Sequence, residues 1–128
     1  MCNCKNRLSD FEKYVICDKG TEPPFNNEYW DNKKPGIYKC KCCDVDLFSS
    51  EHKFDSQTGW PSFYISIGEI LEKSDFSGGM VRIEVMCANC KAHLGHLFGD
   101  GPAPTGIRYC INSASLKFVP KYGENIGN

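Results

Sequence analysis

The sequence predicts a mainly β domain of antiparallel strands with one short N-terminal helix. Three observations carry that expectation. Short stretches alternate apolar and polar residues, most cleanly from Met80 to Met86. Glycine and proline punctuate the gaps between them, as at Pro35-Gly36 and from Gly99 to Gly106. The helix-start signature is N-terminal, where Ser9 and Glu12 have capping-box spacing before Phe11, Tyr14, Val15 and Ile16.

Taken in order, the capped segment should form a helix ending by Gly20, and Thr21-Glu22-Pro23-Pro24-Phe25 a stiff extended strap, since two prolines exclude helix there. Ile37 to Cys40 reads as a strand running into a cysteine cluster. Phe63 to Ile67 alternates like a half-buried strand, and Glu69 to Lys73 suggests one helical turn. Val81, Ile83 and Val85 are expected to face the core, with Arg82 and Glu84 turned away. Ile107 to Val119 resumes an extended pattern.

A chain of 128 residues fits a single domain, 1–128, with 1–7 expected to be a mobile tail and 121–128 a frayed end. Fifteen basic residues against 16 acidic ones give a net charge of −1, which provides no long-range field for nucleic acid or an anionic membrane. Nor is there an apolar run long enough to span a bilayer, or the apolar core of a signal peptide in the first residues. The expectation is a soluble, cytoplasmic monomer in a reducing compartment. Nine cysteines then point to metal and redox chemistry, and their odd number agrees, since pairing alone would leave one over.

Cys40 and Cys43 are two residues apart, as are Cys87 and Cys90. Each such pair can form a knuckle that aims two sulfurs at one point, and four thiolates satisfy tetrahedral zinc. With every position filled by sulfur, one Zn2+ per chain would act structurally. Cys42 lies within the first knuckle, and spacing alone favours Cys43 over it as the ligand.

Cys110 belongs to neither pair. If Arg108 to Asn112 is extended, Arg108, Cys110 and Asn112 share a face, and the guanidinium favours the nucleophilic thiolate. A buried core cysteine is the competing reading. His93 and His96 lie just beyond the second knuckle in a His-Leu-Gly-His turn, with ring nitrogens suited to proton donation. Asp100 follows and is expected to orient His96 or cap a turn, while His52 is expected to be a solvated surface residue. Trp60, fixed beside Pro61, is either core or an aromatic wall for a sulfur-bearing ligand.

Gly20-Thr21-Glu22-Pro23-Pro24-Phe25, Gly59-Trp60-Pro61-Ser62-Phe63, His93-Leu94-Gly95-His96, Asp100-Gly101-Pro102 and Arg108-Tyr109-Cys110-Ile111-Asn112-Ser113-Ala114-Ser115-Leu116 stand in the order found in B-type peptide methionine sulfoxide reductases. The resemblance runs from about Leu8 to Pro120 and includes both cysteine pairs. It implies a β-tent of two antiparallel sheets and reduction of methionine R-sulfoxide in proteins, and more weakly of the free amino acid. It also implies Cys110 as nucleophile, Trp60 as the wall against the substrate methyl group, and His93 and His96 facing the sulfoxide oxygen. Arg108 and Asn112 would tune and order the site, with Asp100 behind them. Thioredoxin or a similar dithiol would be the reductant.

One departure stands out. Many family members carry a resolving cysteine just before Gly-Trp-Pro-Ser-Phe, where this chain has Thr58, which cannot form a disulfide. Cys17, beside the proline strap, is the first substitute considered, and Cys4 and Cys2 on the expected tail come next. Cys42 is the least suited, and direct reduction by an external partner needs none of them. The alternative to an enzyme is a zinc-stabilised β-tent that binds partners or acts as a chaperone. Against it stands the Arg-x-Cys-x-Asn segment with its two histidines, which binding alone does not require.

Overall fold

A computed structural model describes residues 4–76 and 79–121. Two antiparallel sheets make up most of it. One has three strands in the order β2-β1-β9, formed by β1 (Gly36–Cys40), β2 (Asp46–Ser49) and β9 (Leu116–Pro120). The other has six in the order β3-β4-β8-β7-β6-β5. Its strands are β3 (Lys53–Phe54), β4 (Ser62–Phe63), β5 (Ile70–Asp75), β6 (Arg82–Cys87), β7 (His93–Phe98) and β8 (Arg108–Ile111).

Aromatic rings fill the space between the sheets. Phe48 of the first stacks on Phe63 of the second at 4.4 Å, and Tyr38 meets the same ring edge-on at 5.2 Å. Tyr38, Phe48 and Phe63 are all fully buried, each contributing roughly 1.5–3 kcal/mol through the apolar surface it hides. Tyr109 and Ile111 join them, so the alternation along β8 sends Arg108 and Cys110 to the opposite face.

The helix α1 (Asp10–Ile16) forms as its sequence requires. Ser9 accepts from the Glu12 backbone N–H at 3.1 Å, and Glu12 accepts from the Ser9 N–H at 3.0 Å, which satisfies two donors otherwise left open. Val15 and Ile16 anchor it to the core, whereas Phe11 and Tyr14 stay exposed. At 4–7 the N-terminal segment is not a loose tail. Cys4 is buried in a disulfide to Cys42, their Cα atoms 5.3 Å apart, and Arg7 donates to the Cys42 carbonyl at 2.6 Å. The expected frayed end falls almost wholly on residues 122–128, outside the described ones.

Several expectations along the chain give way to tertiary structure. The helical turn at Glu69 to Lys73 is instead edge strand β5, paired rung by rung with β6. The strand expected from Phe63 to Ile67 stops at Phe63, after which Ile67 and Gly68 donate to the Leu47 carbonyl. Along β6 the faces differ from the simple alternation: Val85 is buried, but Val81 and Ile83 are exposed and Glu84 is sealed. Glu84 can be buried because His93 and Lys19 supply its partners. The His-Leu-Gly-His segment is strand β7, not a turn.

Candidate active site

The strand register builds the site as a row across the six-stranded sheet. Glu84 on β6 lies opposite His96 on β7, His96 opposite Cys110 on β8, and Cys110 opposite Ser62 on β4. Directly opposed residues share a face, so the thiol stands between an imidazole and a hydroxyl.

A strict alternation would send His93 and His96 to opposite faces. A bulge prevents this. Val85 pairs with Gly95 and the next residue, Met86, pairs with His93, so β7 carries an extra residue at Leu94. The two rings end 5.7 Å apart on the site side. Gly95 between them is obligatory, because an added Cβ would run into the carbonyl oxygen of Cys110.

Cys110 forms one wall of a cavity of about 100 Å³, shared with Trp60, His96, Phe98, Asn112, Thr21 and Arg82. A space of that size admits a group of a few heavy atoms. The thiol is pushed above its ordinary value by burial; the Arg108 guanidinium and the Thr58 hydroxyl pull it back, and Glu22 adds to the rise. Net direction therefore differs from the sequence expectation, in which the guanidinium decided alone. Arg108 spends much of its charge elsewhere: its Nε donates to Asp100 Oδ1 at 2.8 Å, and its guanidinium sits 4.3 Å from the Phe98 ring centre. Asp100 thus holds Arg108 instead of orienting His96.

His93 is buried, with Nδ1 2.8 Å from Glu84 Oε2. Burial holds its ring below the ordinary imidazole value, opposed by Glu84. His96 lines the cavity, with Nε2 2.8 Å from Asp75 Oδ2. His52 is half-buried against Tyr64, the rings 5.4 Å apart, and is not the solvated residue expected.

The proline strap ties the walls together. The Glu22 carbonyl accepts from Trp60 Nε1 at 2.9 Å, and the Glu22 N–H donates to Asn112 Oδ1 at 3.0 Å. The Asn112 amide in turn donates to the Leu94 carbonyl at 3.1 Å. The Glu22 carboxylate accepts from the backbone N–H groups of Ser113 and Ala114, although burial still raises its pKa above the ordinary carboxylate value. Gly59, at φ +89°, presents its carbonyl to the Phe25 N–H at 2.8 Å and so docks the strap on the Trp60 loop.

Thr58 occupies the place beside the Cys110 sulfur. Its hydroxyl opens a chain of short contacts, 2.8 Å to Ser56 Oγ and 2.7 Å from there to Ser62 Oγ. The substitute thiols considered for Thr58 are placed otherwise. Cys4 is bonded to Cys42, Cys17 is also disulfide-bonded, and Cys2 falls outside the described residues. Two cysteines close enough to bridge did so, which corrects the expectation that cysteines outside the metal set stay reduced.

At the other end of the sheets, Cys40, Cys43, Cys87 and Cys90 bring their sulfurs within 4.8 Å of one another, with Cys40–Cys90 and Cys43–Cys87 at 3.6 Å. Tetrahedral zinc–sulfur bonds of about 2.3 Å put sulfurs about 3.8 Å apart, so the set fits that ion. The two knuckles are alike. Asp44 and Lys91, at φ +68° and +64°, each turn an N–H back to the carbonyl of the first cysteine of the pair at 2.8 Å. Sharing of protons divides the cluster: the hydrogen bond from Cys40 draws Cys87 down, and the same bond, with burial, pushes Cys40 up. Four sulfurs so crowded ionise together only against a cation.

A half-buried thiol thus shares a small cavity with an imidazole from the neighbouring strand and an indole. The family model for the SelR domain matches residues 8–120. The chain belongs to that family, the methionine-R-sulfoxide reductases, and its activity is that of a peptide-methionine (R)-S-oxide reductase.

Sequence reasoning did not find Asp75, Arg82, Glu84 or Phe98 as parts of the site. Glu84 alone left a signal, a carboxylate in a strand whose following residues, Val85, Met86 and Cys87, are apolar.

Proposed function

We propose that Cys110 is the nucleophile of methionine-R-sulfoxide reduction in oxidised proteins, with free methionine sulfoxide a poorer substrate. The observation that carries this is the register that sets Cys110 directly opposite His96 on the floor of the Trp60 cavity. Trp60 and Phe98 receive the methyl and methylene groups; the indole N–H, held by Glu22, cannot compete for the sulfoxide oxygen.

Attack by the Cys110 sulfur on the sulfoxide sulfur moves two electrons to the substrate while His96 gives a proton to the departing oxygen. A bond forms between the Cys110 and substrate sulfurs, the S–O bond breaks, and the oxygen leaves as water with its second proton from the thiol. Water then adds to the Cys110 sulfur and gives a proton back to His96; the sulfur–sulfur bond breaks, methionine leaves with the electron pair, and Cys110 becomes a sulfenic acid. Because burial keeps the resting thiol largely protonated, Thr58 and Arg108 serve to stabilise the sulfur as its proton is lost. His93, fixed on Glu84, and Asn112, fixed between Glu22 and Leu94, hold the floor in shape. Asp100 acts through Arg108.

Regeneration falls to an external dithiol such as thioredoxin, which condenses with the sulfenic acid and releases water and its own disulfide. Thr58 beside Cys110 and the bonded state of Cys4 and Cys17 support that route. Cys40, Cys43, Cys87 and Cys90 would hold one Zn2+, which supplies cohesion between β1 and β6 and takes no part in the reaction. The protein acts as a monomer, on protein substrates and without nucleic acid. Among the described residues no helix is long and apolar enough to cross a membrane.

Purified protein carrying Cys110→Ser should reduce no methionine R-sulfoxide peptide with dithiothreitol while melting as the parent does. Retained activity would overturn the assignment.

A further inference from the structure

Each imidazole of the site has its own carboxylate, Glu84 for His93 and Asp75 for His96. Glu84 faces His96 in the register but spends its oxygens on His93 Nδ1, at 2.8 Å, and Lys19 Nζ, at 3.3 Å. His96 is served from further away. Asp75 ends the edge strand β5 opposite Arg82, reaches past β6, and brings Oδ2 to 2.8 Å from His96 Nε2. An Arg82 NH2 lies 3.5 Å from the same oxygen. The side chains of His96 and Asp75 are 14% and 20% exposed, so water competes little for the contact.

Imidazole has two distinct nitrogens, and a carboxylate, which only accepts, makes the one it touches the protonated one. With Asp75 on Nε2, neutral His96 carries its lone pair at Nδ1, and protonated His96 has Nδ1–H as the proton free to leave. Nδ1 bonds no described residue. His93 has the reverse arrangement, Nδ1 committed to Glu84 and Nε2 buried with no partner among the described residues, which suits support and not delivery.

We propose that Asp75, steadied by Arg82, is the positioning residue that fixes the Nε2–H form of His96 and makes Nδ1 the nitrogen that serves the sulfoxide oxygen. This rests on His96 as the proton donor, and the tests separate the two ideas. Nitrogen-15 NMR of the parent protein should show His96 protonated at Nε2 in its neutral form; an Nδ1–H form would overturn the proposal whatever the kinetics. Asp75→Ala should lower kcat by about tenfold, a fraction of what a general acid contributes, with KM changed less than twofold, and should mix the two ring forms. Asp75→Glu, which returns a carboxylate, should recover most of kcat. Unchanged kcat and an unchanged ring form in Asp75→Ala would refute it. Separately, parental kcat in His96→Gln would remove the donor role, leaving the NMR result to decide whether Asp75 sets the ring.

Discussion

Gly95→Ala puts one methyl group where β7 and β8 come closest. The added Cβ would overlap the Cys110 carbonyl oxygen and stand 3.0 Å from both the Cys110 carbonyl carbon and the Ile111 Cα. These are backbone atoms, so no side chain can rotate away. Ordinary carbon contacts begin near 3.5 Å, and the strands must part by on the order of 1 Å to restore them. Overpacking of this kind costs roughly 1–3 kcal/mol, which for a domain of this length lowers the melting temperature by about 4–12 °C. The same displacement separates Cys110 from His96, the pair whose alignment the reaction uses, and a shift of about 1 Å can cost on the order of 100-fold in rate. Scanning calorimetry and steady-state reduction of a methionine R-sulfoxide peptide measure both effects. A variant that melts and turns over like the parent would show that the strands tolerate the methyl and that the register does not set the reacting distance.

Stability should also depend on pH through His93. Burial keeps its folded pKa low, whereas an unfolded histidine binds a proton near 6.5. Below about 6.5 the unfolded chain therefore holds more protons than the folded one, and this contribution to stability is lost as pH falls. Urea unfolding at pH 7.5 and 5.5 should show a smaller loss for His93→Asn than for the parent; equal losses would contradict the burial argument. Arg108→Ala should raise the Cys110 thiol further and slow its alkylation by iodoacetamide at pH 8 several-fold, read by mass spectrometry of the Cys110 peptide. An unchanged rate would show that the guanidinium, already paired with Asp100, does not reach the sulfur. Cys87→Ala should lose bound zinc and about 4 kcal/mol of stability, the linkage expected for a site held at a thousandfold excess over its dissociation constant. Full metal content would remove Cys87 from the set.

Features set by near neighbours were legible in the chain. The Ser9–Glu12 cap and the two cysteine knuckles are each written within a few residues and form as read, whereas the extended run expected from Ile107 to Val119 keeps Cys110 on a strand but breaks at a 3-10 turn, Ser113–Ser115, into β8 and β9 of different sheets. What the chain hid depends on partners far along it. Glu84 looks like a solvent-facing residue until His93 and Lys19 close over it. His93 and His96 share a face only because of a bulge that pairing with β6 imposes. Asp75 meets His96 across 21 residues, and Cys4 meets Cys42 across 38. Strand β5 reads as a helical turn in the sequence because Leu71, Glu72 and Lys73 are adequate helix formers, and only hydrogen bonding to β6 decides otherwise.

Cys110, opposite His96 in the register, is proposed to be oxidised to the sulfenic acid as the substrate is reduced. Its most direct test is a single turnover without reductant. One equivalent of an R-sulfoxide peptide should yield one equivalent of methionine peptide and one sulfenic acid, trapped by dimedone and mapped to Cys110, while the S epimer yields neither. Methionine formed with the Cys110 thiol intact, or a trapped sulfenic acid on another cysteine, would contradict it.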